Sequence, residues 1–241
     1  VISKNQIKFV KSLQKKKFRL LYQCFVVESS KNVNEILSSN YKIQQIYATS
    51  NWIKRNKITD KFPVNQLSTK DLGRISSLKN PADVLAVIKI PKTEKKIDLK
   101  GINIVLDDIK DPGNLGTIIR TCDWFGVKNI YCSEETVDIY NPKVIQSSMG
   151  SIARVNVIYT DIKKMIMNVN VQVYASVIKG KDLNDIKIDS NSLIIFGNES
   201  RGISKSIKNI VSEKITINKI GSAESLNVAS SAAIILNKFC N

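Results

Sequence analysis

The passage Ile102–Val127, INIVLDDIKDPGNLGTIIRTCDWFGV, constrains the fold more than any other part of the chain. Its apolar start, Ile102–Leu106, predicts a buried strand. An acidic turn containing Pro112 and Gly113 follows. Leu115, Ile118, Ile119 and Cys122 then recur at helical spacing until Gly126 stops the helix. Strand, tight polar loop and helix are the repeating unit of an open α/β sheet, whose ligands bind beyond the carboxyl ends of the strands. Asn114 and Arg120, at the loop end of this helix, are therefore candidate functional side chains.

The rest of the chain repeats the alternation in two series. In the first, Ser3 is a plausible N-cap for a helix that buries Ile7, Val10 and Leu13. Lys8, Lys11, Lys15, Lys16, Lys17 and Arg19 decorate and extend that helix. Strands are expected at Phe25–Val27, Ile43–Ala48, Val64–Gln66 and Val84–Ile90. A helix should carry Val33, Ile36 and Leu37, and a capping-box-like start at Ser68 should open another. PKTEKKIDLKG, Pro91–Gly101, is charged and bounded by Pro and Gly, as a linker would be. In the second series, strands are expected at 102–107, 129–132, 155–158, 172–177, 193–196 and 214–217. Helices should fill 114–126, 142–149, 161–168, 204–211 and 225–239. The resulting division is a small α/β domain at 1–90, a linker at 91–101 and a larger α/β domain at 102–241.

Charge narrows the class of partner. The net charge is +16. The first 57 residues hold 12 Lys or Arg against 2 acids. Such a footprint suits nucleic acid, although a Lys-, Asn- and Ile-rich composition of an AT-biased genome also raises it. Lys15, Lys16, Lys17 and Arg19 are candidate phosphate contacts, or a solvated helix end. The chain has no histidine, so proton transfer must use Arg, Lys, Asp, Glu, Tyr, Cys or water. Cys24, Cys122, Cys132 and Cys240 show no CxxC spacing. That argues against a zinc site and a disulfide framework and points to a reducing, cytoplasmic setting. No apolar run approaches the ~20 residues of a membrane span, and VISKNQIKFVKSL contains no signal-peptide core. No metal and no membrane partner are expected. A G-x-G-x-x-G fingerprint is also absent. The glycines instead follow late strands, Gly197 after Leu193–Phe196 and Gly221 after Ile215–Ile217, where backbone can approach a ligand closely.

Three ordered passages carry a family resemblance. DPGNLGTIIRTCDWFG resembles motif 1 of the SpoU/TrmH family of S-adenosylmethionine-dependent RNA ribose 2'-O-methyltransferases. IIFGNESRGIS, Ile194–Ser204, resembles motif 2. ITINKIGSAESLNVASSAAIIL, Ile215–Leu236, resembles motif 3. The KKKFRLLYQCFVVESSKNVNEIL segment is similar to the substrate-binding domain that precedes the catalytic domain in many members, which usually have Glu-Gly where this chain has Glu28-Ser29. The resemblance implies an α/β fold whose C-terminal domain is a SPOUT-type trefoil knot, preceded by a small α/β substrate-binding domain.

It also implies roles. Gly197, Ile217 and Leu226 would cradle S-adenosylmethionine with their backbone. Arg120 would activate the ribose 2'-hydroxyl or hold the adjacent phosphate, and the planar guanidinium fits phosphate better than it fits a base's role; apart from the motif it reads as an exposed helix arginine. Asn114 would orient the loop or substrate, or cap the helix. By its charge, Glu199, beside Asn198, would pair with Arg120, or else is a surface loop acid. Ser225 and Asn227 would join the site, Ser225 alternatively as an N-cap. Cys122 sits among apolar residues and reads as packing. The small residues Ala229–Ala233 allow close helix contact, and the family adds a homodimer with the site partly built across its interface. Ribosomal RNA is the expected substrate, with transfer RNA open. The rival readings are methylation at a base nitrogen and a non-catalytic RNA-binding factor of ribosome assembly.

Overall fold

The computed structural model describes residues 2–58, 61–92 and 97–240. In chain order the first series is α1 (Lys4–Ser12), α2 (Lys16–Tyr22), β1 (Cys24–Glu28), α3 (Ser30–Leu37), β2 (Ile43–Ala48), α4 (Ser50–Arg55), β3 (Val64–Gln66), α5 (Thr69–Ile75) and β4 (Val84–Lys89). The second is β5 (Ile102–Asp107), α6 (Pro112–Trp124), β6 (Asn129–Cys132), α7 (Pro142–Ser148), β7 (Asn156–Tyr159), α8 (Ile162–Met167), β8 (Gln172–Asp182), β9 (Ser192–Gly197), α9 (Lys205–Lys208), β10 (Glu213–Thr216) and α10 (Val228–Phe239). Part of the expected linker, residues 93–96, lies outside the described residues. No helix of the described residues is long and apolar enough to cross a membrane.

The chain forms two compact units. Val1–Lys92 is joined by Asp138–Ala153, and Thr93–Val137 is joined by Arg154–Asn241. The first unit thus takes in α7, which in sequence lies inside the second series. Its sheet has the order β1-β4-β2-β3, antiparallel except for the β2–β3 pair. β1 and β4 are buried almost throughout, and Val26, Tyr47, Leu72, Leu85 and Val87 form the core beneath α1 and α5. Ser3 caps α1 in a full capping box with Gln6, which satisfies two otherwise orphaned N–H groups. The expected extension of that helix through Arg19 does not occur. α1 ends at Ser12 and α2 is a separate helix. α4, capped by Thr49, had no counterpart in the sequence reading.

Arg19 is what holds α2 against its unit. It is 3% exposed. Its guanidinium donates to the Leu13 and Gln14 carbonyls, both at 2.9 Å, and to Asp138 at 2.6 and 3.0 Å. Segment 138–153 adds Tyr140, whose ring lies 4.6 Å from that of Phe25. Ser29 stands at φ +84°, a conformation that strains any residue but glycine. Here the serine hydroxyl accepts from Asn32 N at 3.4 Å as the N-cap of α3.

The second unit is a six-stranded sheet of order β10-β8-β9-β5-β6-β7, with every pair parallel. The inner strands β5, β6 and β9 are buried nearly throughout, as parallel strands covered on both faces are, which is why they read as continuous apolar runs. β5 sits inside the sheet, and Val105, Tyr131, Ile195, Leu193 and Val173 meet in one core. α6 and α10 pack together. The loops after β5, β8, β9 and β10 leave the carboxyl edge of the sheet.

Candidate active site

β5 ends four residues before motif 1 starts at Asp111. Asp107 is buried and accepts from Ser204 N at 2.7 Å. Asp108 takes φ +63°. Its carboxylate meets Lys110 at 2.5 Å and also Arg201, and its carbonyl accepts from Asn198 Nδ2 at 2.8 Å. Asn198 in turn accepts from Ser200 N and Arg201 N, both at 3.0 Å, which folds the loop after β9 back on itself. These groups were not assigned roles from sequence. Gly197 admits no side chain, because a Cβ there would collide with the backbone of Gly202 and Ile203.

α6 is capped by Asp111, whose carboxylate accepts from Asn114 N at 2.8 Å. Asn114 is therefore not the N-cap. Pro112 at the first helical position was the available signal, because proline is favoured one place after the cap. The Asn114 side chain is freed for another task. Its Nδ2 donates to Glu199 Oε1 at 2.9 Å, and its Oδ1 accepts from Asn227 Nδ2 at 2.9 Å. Asn227 is itself the N-cap of α10, its Oδ1 accepting from Ala229 N and Ser230 N at 2.9 and 3.3 Å.

This relay settles which way both amides face. The cap holds the Asn227 oxygen on α10, so only its NH₂ is left for Asn114. Asn114 must then turn its oxygen to Asn227 and its NH₂ to the carboxylate. Glu199 also receives Lys110 N and Asp111 N at 3.4 and 3.3 Å. One residue from each of the three motifs is joined by two hydrogen bonds across separations of 85 and 113 residues.

Beside the relay is a cavity of about 990 Å³, lined by Gly197, Ile217 and Leu226 and by Glu199, Ser225 and Asn227. The cations lining it are Lys179, Arg201, Lys208, Lys214 and Lys219, against Glu199 and Glu224. Residues 217–227 form no helix or strand. Among the described residues, the backbone of Lys219–Leu226 makes no hydrogen bond, so its N–H and C=O groups are available to a ligand. Ser225 lines the cavity and does not cap α10, a correction to the alternative read from sequence.

Arg120 is exposed on α6 and does not line the cavity. The expected Glu199–Arg120 pair is absent among the described residues: Arg120 lies on an exposed face of α6 off the cavity, and Glu199 meets Asn114 and the loop amides instead. Cys122 is fully buried, and burial drives its thiol well above the ordinary range, which rules out a ready thiolate nucleophile. Lys15, Lys16 and Lys17 are exposed in the first unit. Arg19 is removed from that patch, since its donors are spent inside the protein.

A parallel α/β sheet with a cavity off its carboxyl edge, ringed by loop backbone and a fixed polar relay, defines a ligand-binding α/β domain of the kind that houses enzymes. The SpoU rRNA Methylase family model matches residues 101–237, and the MRM3-like substrate binding domain model matches residues 4–86. The chain belongs to the SpoU rRNA methylase family. It is 28% identical over 239 residues to the 23S rRNA (guanosine(2553)-2'-O)-methyltransferase RlmP of Bacillus subtilis, covering 97% of this chain and 96% of that one. A TrmH-family protein of Porphyromonas gingivalis superposes with a TM-score of 0.91 at 32% identity, over 99% of this chain and 98% of that one. An AdoMet-bound rRNA methyltransferase of Sinorhizobium meliloti gives 0.88 at 26%, over 99% and 95%.

Proposed function

We propose that this chain transfers the methyl group of S-adenosylmethionine to a ribose 2'-hydroxyl of ribosomal RNA. The observation that carries the reading is the Glu199–Asn114–Asn227 relay set against the cavity of Gly197, Ile217 and Leu226. When bound, S-adenosylmethionine supplies a methyl carbon made electrophilic by its sulfonium. The protein's part is to bring the 2'-oxygen in line with that carbon and to ease loss of its proton. The open backbone at 219–226 and the glycine at 197 suit a close-fitting nucleoside ligand. The cationic lining suits an approaching phosphate chain. The relay locks loop and helix ends from all three motifs, so the reacting groups meet a fixed surface. With no histidine in the chain, the proton leaves to Arg120, to a site carboxylate or to water.

Arg120 completes the site from a second copy of the chain. It shares an exposed α6 stripe with Thr117 and Trp124, the latter 84% exposed, while Ile234 of α10 is 42% exposed. Exposed Trp124 and Ile234 beside that stripe suit a homodimer built on α6 and α10. The trefoil knot belongs to the same reading, supported by a sheet order that inserts β8 between β9 and β10. A cytoplasmic setting completes it. Incubation with labelled S-adenosylmethionine and RNA, followed by digestion to nucleosides, tests the function. Label on a 2'-O-methyl nucleoside from ribosomal RNA is the expected result. Label on a base nitrogen, on transfer RNA only, or nowhere would each sink it in favour of a rival. Sedimentation of Trp124→Glu should report a monomer.

A further inference from the structure

The α1–α2 surface of the first unit combines features that neither an ordinary solvated helix nor a protein interface requires. Residues 1–27 contain seven Lys or Arg and no acid. Arg19 faces inward, and Lys4, Lys8, Lys11, Lys15, Lys16 and Lys17 are all exposed. Lys4, Lys8 and Lys11 recur at helical spacing and so form one stripe along α1. On α2, at about 100° per residue from the buried Arg19, Lys17 and Leu21 point outward while Phe18 and Tyr22 share one flank. The rings of Phe18 and Tyr22 are stacked, 6.3 Å apart and 14° from parallel. Phe9 meets Tyr22 edge-on at 5.1 Å. Leu20, Leu21 and Tyr22 are 56%, 65% and 42% exposed.

Lysine is depleted in protein–protein interfaces, yet here it is interleaved with the exposed apolar side chains. Cations that track a phosphate chain, beside aromatic faces on which bases stack, are the chemistry of single-stranded nucleic-acid binding. We propose that this surface receives an unpaired segment of the RNA substrate, its phosphates on the α1 and α2 lysines and a splayed base on the Tyr22–Phe18 stack. The inference rests on the RNA-methyltransferase reading and adds that the first unit selects unpaired over duplex RNA. In a duplex the bases are already stacked on one another and offer side chains no open face. Arg19 makes the surface rigid in advance by tying α2 to Leu13, Gln14 and Asp138, which lowers the ordering cost of binding.

The test uses the full chain and measures anisotropy of a labelled single-stranded oligoribonucleotide and of a duplex of equal length. Tyr22→Leu, which keeps apolar bulk and loses the ring, should weaken single-strand binding about tenfold and duplex binding less than about twofold. Its salt dependence should stay that of the wild type, and Tyr22→Trp should restore affinity. Lys8→Ala with Lys11→Ala should weaken both RNAs and flatten the salt dependence. Equal loss on both RNAs, or no loss on either, in a Tyr22→Leu protein of unchanged melting temperature overturns the proposal. So does a Leu21→Glu protein that changes its sedimentation mass with RNA affinity intact, which would mark a protein contact. Tighter binding to anionic phospholipid vesicles than to RNA would mark a membrane contact and overturn it too. A wild-type chain that binds and methylates no RNA refutes the functional reading as a whole, whereas a wild type that binds single strands through an indifferent Tyr22 refutes this inference alone.

Discussion

The relay of the second unit and the basic face of the first are both polar, but they are built in opposite ways. Glu199, Asn114 and Asn227 each meet a named partner, and the geometry of one fixes the next. Lys15, Lys16 and Lys17 point into solvent, and they attract by charge without imposing a position. Arg19 is adjacent to those lysines in sequence and belongs to neither group. Buried with Asp138 and two carbonyls, it is a structural tie. A cationic run is thus not one functional unit, because what each charge does depends on whether the fold supplies it with an acceptor.

The largest effect expected on stability comes from that tie. Arg19→Ala leaves Asp138 half-buried without its cation and two carbonyls without a donor, and should cost about 3–5 kcal/mol. Thermal denaturation should fall by roughly 10 °C. Pairing Arg19→Met with Asp138→Leu should recover much of the loss, because an apolar pair removes both stranded charges. If Arg19→Ala instead melts normally and only weakens RNA binding, Arg19 is a phosphate contact like its neighbours and not a structural tie. On the catalytic side, Arg120→Lys keeps the charge and loses the planar fork. Methyl transfer should drop about 10²–10³-fold with cofactor affinity nearly unchanged, a loss confined to the transition state. Near-normal turnover would leave Arg120 as an ordinary surface residue.

Asn227→Asp sharpens the relay. A carboxylate still caps α10 but can no longer donate to Asn114. Transfer should fall about 10–100-fold, as for an unsatisfied polar contact of ~1–3 kcal/mol, while calorimetric melting stays close to wild type. A fall in melting temperature without a fall in rate would assign Asn227 to capping alone. Replacing Lys15, Lys16 and Lys17 by Ala should leave melting unchanged and reduce the slope of log affinity against log salt by about 2, since each phosphate contact on a single strand contributes ~0.7. The smallest effect is Ser29→Gly, which should stabilise the chain by about 1 kcal/mol through relief of backbone strain, read from chemical denaturation.

Most strands and helices could be placed from the sequence because their signals are local. Short apolar runs and period-3.6 apolar spacing, the Ser3 and Ser68 caps and the flanking turns all act within a few residues. The three motifs identified the family and brought Gly197, Ile217 and Leu226 to one cavity. Reading failed where a local sign had several possible partners. Asn114 suited an N-cap as well as a relay, and only Asp111 in the cap position freed it. Glu199 was assigned to Arg120 by charge, and the fold instead gave it an amide and two backbone N–H groups. Segment 138–153 reads as part of the second αβ series, yet it packs with the first unit through Asp138 and Tyr140. Pattern and charge are properties of neighbouring residues and are written in the sequence itself. Which donor meets which acceptor across 85, 113 or 119 residues depends on how the sheet orders its strands and where each loop returns, so tertiary structure alone decided it.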